Sequence, residues 1–228
     1  MADFSARATA PELMDAADLA PGIYAAVIAD LARVNTITRA RPPTLAWLAR
    51  ALGNNKRFSL IDVGFGHGDM LRAIARWAAA RGLAAELAGY DLNPRSAPVA
   101  EAASAGLGIR FHTGDAAGHA PAPEFIISSL VAHHMSDAEL VSFLRWMEAT
   151  ATRGWFINDL HRSRFAWAGF RLLATLLRWH PIVRHDGALS VRRAFTHADW
   201  QRLLAAAGIA NAEVRWHLPF RYCVGRLK

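Results

Sequence analysis

The chain has 228 residues, 53% of them hydrophobic, with a formal net charge of +7. That size suits one well-buried α/β domain with an appendage, and no uninterrupted apolar run approaches the ~20 residues of a membrane span. Met1 to Leu19 lacks the basic head and apolar stretch of a secretory signal, and the single cysteine, Cys223, excludes an internal disulfide and suits a reducing cytoplasm.

Residues 1–57 carry no strand signal and read as an all-helical segment. Ala10 to Leu19 and Gly22 to Arg39 are expected as helices, the second with Ile23, Val27, Leu31 and Val34 on one stripe. Pro42-Pro43 separates them from a third, Thr44 to Leu52, which ends at Gly53. From Phe58 the pattern alternates. Strands are expected at 58–63, 85–91, 108–112, 124–130 and 154–159. Helices are expected at 69–81, from Pro94 to about Ala105, and from Ser136, whose Ser-x-x-Glu start has the form of a capping box. Residues 162–193 are too long and apolar for a connecting loop. Thr196 then caps a helix that Gly208 stops, and 212–218 with 221–227 read as a closing hairpin. Such alternation implies a mostly parallel sheet with helices on both faces and ligands at the carboxyl ends of the strands. The domain expectation is therefore a helical cap over 1–57 and an α/β domain over 58–228 with an insertion at about 162–193.

The most informative segment is Asp62-Val63-Gly64-Phe65-Gly66-His67-Gly68, between the first strand and its helix. Glycine permits a tight turn and lets a ligand lie against bare main chain. Asp91, at the tip of the second strand, can accept hydrogen bonds from two ribose hydroxyls. The Gly-x-Gly-x-Gly spacing differs from the Gly-x-Gly-x-x-Gly that seats a pyrophosphate on a helix end.

These residues, with Gly114-Asp115-Ala116 and Phe125 to Leu130, resemble the class I S-adenosylmethionine-dependent methyltransferases, small-molecule branch, from about Phe58 onward. The resemblance implies a Rossmann-like α/β fold: a seven-stranded, mostly parallel sheet with an antiparallel last strand and an N-terminal helical cap. It implies S-adenosylmethionine as cofactor, held by Asp62, Gly64, Gly66, Asp91, Leu92, Asn93, Asp115, Ala116 and Ser129. It implies a small hydrophobic acceptor, aromatic or polyketide-like, methylated on oxygen or carbon. An RNA-modifying methyltransferase and a non-catalytic nucleotide-binding Rossmann-like protein stand as alternatives.

Methyl transfer from a sulfonium needs donor and acceptor in line, water excluded, and a base where the acceptor is a phenol or acidic carbon. His133 and His134, after the fourth strand, and His161, after the fifth, are the candidates. No metal is expected. Ser128-Ser129-Leu130 supplies no acid, Asn158-Asp159 alone is half a site, and no helix carries a paired-ligand spacing. Nucleic acid is not favoured as a partner. The arginines are scattered, lysine occurs only at Lys56 and Lys228, and the fourth strand lacks the Pro-Pro-Tyr/Phe turn of amino-methylating enzymes. Along 165–179, with Arg164 just before it, Arg164, Arg171 and Arg178 are spaced at seven and share one side, so Trp167, Phe170 and Leu177 are expected to turn inward as a lid over the acceptor. A homodimer contact and a membrane-surface contact are the other readings of that segment.

Overall fold

The computed structural model describes residues 3–119 and 122–228. Seven strands form one sheet among the described residues, in the order β3-β2-β1-β4-β5-β7-β6. They are β1 (Arg57–Val63), β2 (Ala84–Asp91), β3 (Arg110–Thr113), β4 (Phe125–Ser129), β5 (Gly154–Leu160), β6 (Glu213–His217) and β7 (Arg221–Leu227). The first five are parallel, and β7 enters antiparallel between β5 and β6. The strand order reverses between β1 and β4, which opens a crevice at their carboxyl ends.

Helices cover both faces. The cap contributes α1 (Pro21–Ile37) and α2 (Arg41–Leu52); α3 (Asp69–Ala79), α4 (Ser96–Ala103) and the short α5 (Ala116–His119) follow β1, β2 and β3. The remainder are α6 (Asp137–Thr150), α7 (Arg164–Leu176), α8 (Pro181–Arg193) and α9 (His197–Ala207). On one face Leu140, Leu144, Trp200 and Leu203 of α6 and α9 pack on Ile126, Trp155 and Ile157 of the sheet. On the other, Trp47, Leu48, Leu71 and Ile74 of α2 and α3 pack on Phe58, Leu60 and Phe125. Full burial of an aliphatic side chain such as Leu71 or Ile74 contributes roughly 1.5–3 kcal/mol. A third cluster ties α1 to the insertion through Val27, Val34, Ala174, Trp179 and Val183.

The expected strands form within two residues of their predicted ends. Ser136 closes its capping box with Glu139, and Gly208 ends α9 in the left-handed conformation. The cap differs. Ala10 to Leu19 is not a helix; only a single 3-10 turn, Leu13–Asp15, forms there. The backbone amides of Leu13 and Met14 donate to the two carboxylate oxygens of Asp186, both at 2.9 Å. Arg95 takes the carbonyls of Ala16 and Leu19. Side chains from α8 and the β2 loop thus engage the groups that a helix would pair internally. Pro42 and Pro43 lie inside the first turn of α2 rather than before it, a position where proline loses no helical hydrogen bond.

Candidate active site

A cavity of about 500 Å³ runs from the glycine turn after β1 to the space under α1, α7 and α8. Its floor is the carboxyl end of the sheet. Of the residues expected to hold the cofactor, Asp62, Gly64, Gly66, Asp91, Asn93 and Ser129 line it, as do His133 and His134.

The glycine turn is shaped by backbone geometry and by Asp91. Gly64, Gly66 and Gly68 all have positive φ. A Cβ on Gly64 would collide with the Val131 side chain, whereas one on Gly66 would meet no protein atom within 4 Å. Gly66 is therefore bare toward the cavity, where a ligand would lie. Its N–H donates to Asp91 Oδ2 at 2.8 Å, and the Asn93 N–H donates to Asp91 Oδ1 at 2.9 Å. Each oxygen keeps lone pairs for a further donor. Burial pushes the Asp91 carboxyl above its ordinary range, opposed by the Asn93 and Gly66 amides.

Asp62 is 1% exposed and its Oδ1 has no hydrogen-bond partner; the Ser129 hydroxyl is likewise buried and unpartnered. Burial raises Asp62 well above the usual carboxylate range, and the charges of Asp69 and Asp91 add to this. A buried carboxyl and hydroxyl aimed into one cavity are acceptors waiting for a donor, since unpaired burial costs about 1–3 kcal/mol per group. Leu130, next in the chain, has φ of 61°. A non-glycine residue there stores roughly 1–3 kcal/mol of strain of the kind found at functional sites.

Leu92, Asp115 and Ala116 lie outside the cavity lining. Leu92 is 77% exposed at the rim, one residue beyond Asp91. Asp115 accepts from the Ala117 N–H at 2.9 Å and Ala116 is buried beneath it. Both sit just after β3, beside the Asp91 end of the cavity.

The three histidines separate. His133 is buried, its backbone N–H on Asp159 Oδ2 at 3.0 Å and its Nδ1 2.8 Å from Asp159 Oδ1. Burial alone would raise Asp159, but the His133 ring and the Leu160 and His133 amides outweigh it and hold the carboxyl below its ordinary value. His134 stacks beside His133, ring centroids 4.4 Å apart. His161 does not line the cavity; its ring packs edge-on to Tyr222 at 4.8 Å. A continued strand would put His161 on the same face as Asp159, two residues before it, but β5 ends at Leu160 and the His161 backbone instead bridges to Phe195.

Several lining residues carried no sequence signal. Glu12, from the irregular N-terminal segment, is 4% exposed and reaches both histidine rings. Burial pushes its carboxyl up, countered by His134 and the Ser190 hydroxyl. Arg221, at the start of β7, is the one arginine or lysine among the described lining residues. Its Nη2 donates to Thr38 Oγ1 at 2.9 Å, while Nε and Nη1 have no partner, and burial lowers its pKa to about 10. The cap is fastened over the site by Arg41, whose guanidinium lies 2.9 Å from Asp69 at the start of α3.

The insertion forms part of the roof, with a different face inward from that expected. Ala166, Gly169, Phe170 and Leu173 of α7 line the cavity. Trp167 instead packs on Phe4 at 6.1 Å beneath the Arg171 guanidinium, and Leu177 is 46% exposed. Gly187 on α8 sets this rotation: any side chain there would collide with the Phe170 ring. Phe165, Leu172 and Leu176 are left facing solvent. No helix among the described residues is long and apolar enough to cross a membrane.

Residues 60–154 match the family profile described as a methyltransferase domain. No curated protein matches the sequence. Among solved structures, the magnesium protoporphyrin IX methyltransferase of Synechocystis PCC 6803, solved with bound S-adenosylmethionine, aligns over 84% of this chain and 79% of its own. Its identity is 16% and its TM-score 0.55. Human N-acetylserotonin methyltransferase, also solved with S-adenosylmethionine, aligns over 92% of this chain and 56% of its own, at 16% identity and a TM-score of 0.64. An S-adenosylmethionine-dependent methyltransferase from Aquifex aeolicus aligns over 91% and 97%, at 15% identity and a TM-score of 0.58. At these identities the likeness is one of fold.

Proposed function

We propose that this chain, which has the class I S-adenosylmethionine-dependent methyltransferase fold and a methyltransferase domain over 60–154, methylates a small hydrophobic acceptor held under its own cap. The observation that carries this reading is the continuity of one cavity from the glycine turn to the His133–His134 corner. Such a cavity lets two ligands meet with water excluded, which is most of what in-line methyl transfer asks of a protein.

When bound, the cofactor supplies an electrophilic methyl group on sulfur. The residues present fit it. Asp91 offers two carboxylate oxygens to vicinal hydroxyls, and Gly66 leaves room for the chain that follows. The unpartnered Asp62 Oδ1 and Ser129 Oγ suit an ammonium group. Leu92, Asp115 and Ala116, at the rim, flank the position an adenine would take.

The acceptor lies beyond Ser129. Val27, Ile28, Leu31, Phe170, Leu173 and Phe220 give it an apolar surface, as ligand pockets require. This supports an aromatic or polyketide-like molecule. Its reacting atom faces His133 and His134. In the ion-free site Asp159 orients the His133 ring, so that a proton leaving the acceptor has an imidazole to take it. The unpartnered nitrogens of Arg221 favour an acceptor bearing an anionic or carbonyl oxygen.

Calorimetric titration with S-adenosylhomocysteine, followed by mass spectrometry of phenols and ketones incubated with S-adenosylmethionine, tests the reading. One cofactor site per chain and an acceptor-dependent release of S-adenosylhomocysteine are expected. A folded protein that binds no S-adenosylhomocysteine would refute it. The exposed Phe165, Leu172 and Leu176, flanked by Arg164 and Arg171, support a contact of α7 with an anionic membrane surface or with a second copy of the chain. Liposome co-sedimentation and sedimentation velocity separate these two.

A further inference from the structure

The corner where the N-terminal segment meets the turn after β4 holds a set of groups that methyl transfer alone does not explain. Glu12, His133 and His134 each offer one ligand atom, and the three atoms lie within 4.8 Å of one another. Glu12 Oε1 is 3.7 Å from His133 Nε2, and Glu12 Oε2 is 3.7 Å from His134 Nε2. These separations are too long for hydrogen bonds. They are a few tenths of an ångström wider than the edge of roughly 3.0–3.4 Å spanned by two ligands bonded at about 2.1 Å to one ion.

The other nitrogen of each ring faces a carboxylate. His133 Nδ1 is 2.8 Å from Asp159 Oδ1, and His134 Nδ1 is 3.4 Å from Asp15 Oδ2. A hydrogen on each Nδ1 satisfies these contacts and turns the Nε2 lone pair of each ring toward Glu12. Two nitrogen lone pairs and the Glu12 carboxyl then converge on one point, the geometry of a ligand set around an ion. Arg193 acts on Glu12 only from a distance: its own donors are taken by the carbonyls of His133, His134 and Ala10, and it bonds to none of the three converging groups. Imidazole rings held from behind by carboxylates, with their far nitrogens converging on a third ligand, form the arrangement that metal centres use to orient ligands.

We infer that Glu12, His133 and His134 bind a divalent first-row transition-metal ion. Two imidazoles and one carboxylate are a ligand set taken by zinc and by non-haem iron. All three residues line the cavity, so the ion's remaining positions face the acceptor space. With the ion bound, both Nε2 atoms would be ligands rather than bases, and an acceptor oxygen entering there would be held by the ion and would release its proton to water more readily. The inference rests on the methyl-transfer reading and narrows its acceptors to molecules with two neighbouring oxygens able to chelate.

The test uses the full chain, stripped with a chelator and titrated with Zn²⁺ and with Co²⁺. One ion per chain is expected, with the visible absorption bands of cobalt held by nitrogen and oxygen. His134→Ala and Glu12→Gln should each weaken the ion more than tenfold, and Asp159→Asn by about 10–100-fold, the usual effect of losing an outer carboxylate. S-adenosylhomocysteine affinity, read in the same variants, should stay unchanged; it reports folding, and His134→Ala keeps the test open should Glu12→Gln misfold. Absence of stoichiometric binding, or binding indifferent to His134→Ala and Glu12→Gln in folded protein, overturns the metal site. Intact S-adenosylhomocysteine binding in that case leaves the methyl-transfer reading standing.

Discussion

Replacing Asp91 with alanine tests the cofactor site at its most defined point. In the structure each Asp91 oxygen already accepts one backbone N–H, from Gly66 and from Asn93, so its remaining lone pairs are directed by a fixed frame. A hydrogen bond to a charged acceptor contributes about 1.5–3 kcal/mol net. Two such bonds to ribose hydroxyls set an upper loss of about 3–6 kcal/mol, and water entering the vacated space at the rim recovers roughly half. The expected weakening of S-adenosylhomocysteine is therefore about 10–150-fold, at 1.4 kcal/mol per tenfold. Asp91→Asn should lose nearly as much. Its amide cannot accept from both backbone amides, and one N–H would face another. Calorimetry measures both variants, with circular dichroism to confirm folding. The affinity also carries a pH signature: burial raises the Asp91 pKa, so binding holds above that raised value and weakens as pH falls through it, earlier than an ordinary aspartate would dictate. An affinity within threefold of the original chain in folded Asp91→Ala would refute the assignment.

Asp62→Asn should stabilise the ligand-free protein while weakening S-adenosylhomocysteine. The Asp62 pKa is raised in the fold, so its ionisation destabilises the native state at high pH and the penalty disappears as pH falls through that raised value; melts at pH 8 should shift up more than melts at pH 5, and an equal shift at both would count against the argument. The two turn glycines should part company. Gly64→Ala, at positive φ against Val131, should cost about 2–4 kcal/mol of stability, summing left-handed strain and overpacking, whereas Gly66→Ala, at positive φ but in open space, should cost only the strain of about 1–2 kcal/mol and lose cofactor binding; chemical denaturation and calorimetry read the two effects separately. His133→Ala should lower turnover by about 10²–10⁴ with S-adenosylhomocysteine affinity unchanged, and undiminished single-turnover rates would remove His133 from the chemistry.

The glycine-turn half of the cavity was legible because its signals are local. Asp62 to Gly68 and Asp91 lie at strand ends, where a few consecutive residues fix the backbone, and the parallel strands follow from alternation. The half under the cap was not, because its parts come from distant places. Glu12 stands in a segment without periodicity, and nothing near it in sequence marks it as buried. Arg221 opens an ordinary hairpin strand. The rotation of α7 depends on Gly187 of the next helix admitting Phe170. The arginine spacing of 164, 171 and 178 correctly placed the charges outward, but a stripe of charge leaves the inward face undetermined over more than a third of the helix circumference. The helix expected over 10–19 failed because Asp186 and Arg95 capture its backbone groups, which no local propensity reports.

The long reach of the N-terminal segment gives the site a history in time. Arg7 binds the carbonyl of Arg193, 186 positions away, and Glu12 accepts from Ser190, 178 positions away. At synthesis rates of about 5–20 residues per second, Ser190 appears roughly 10–40 s after Glu12 itself. Arg95, which holds the carbonyls of Ala16 and Leu19, is made long before. The N-terminal segment is thus fastened from its sequence-near end first, and its seat on α8 is completed only when most of the chain exists.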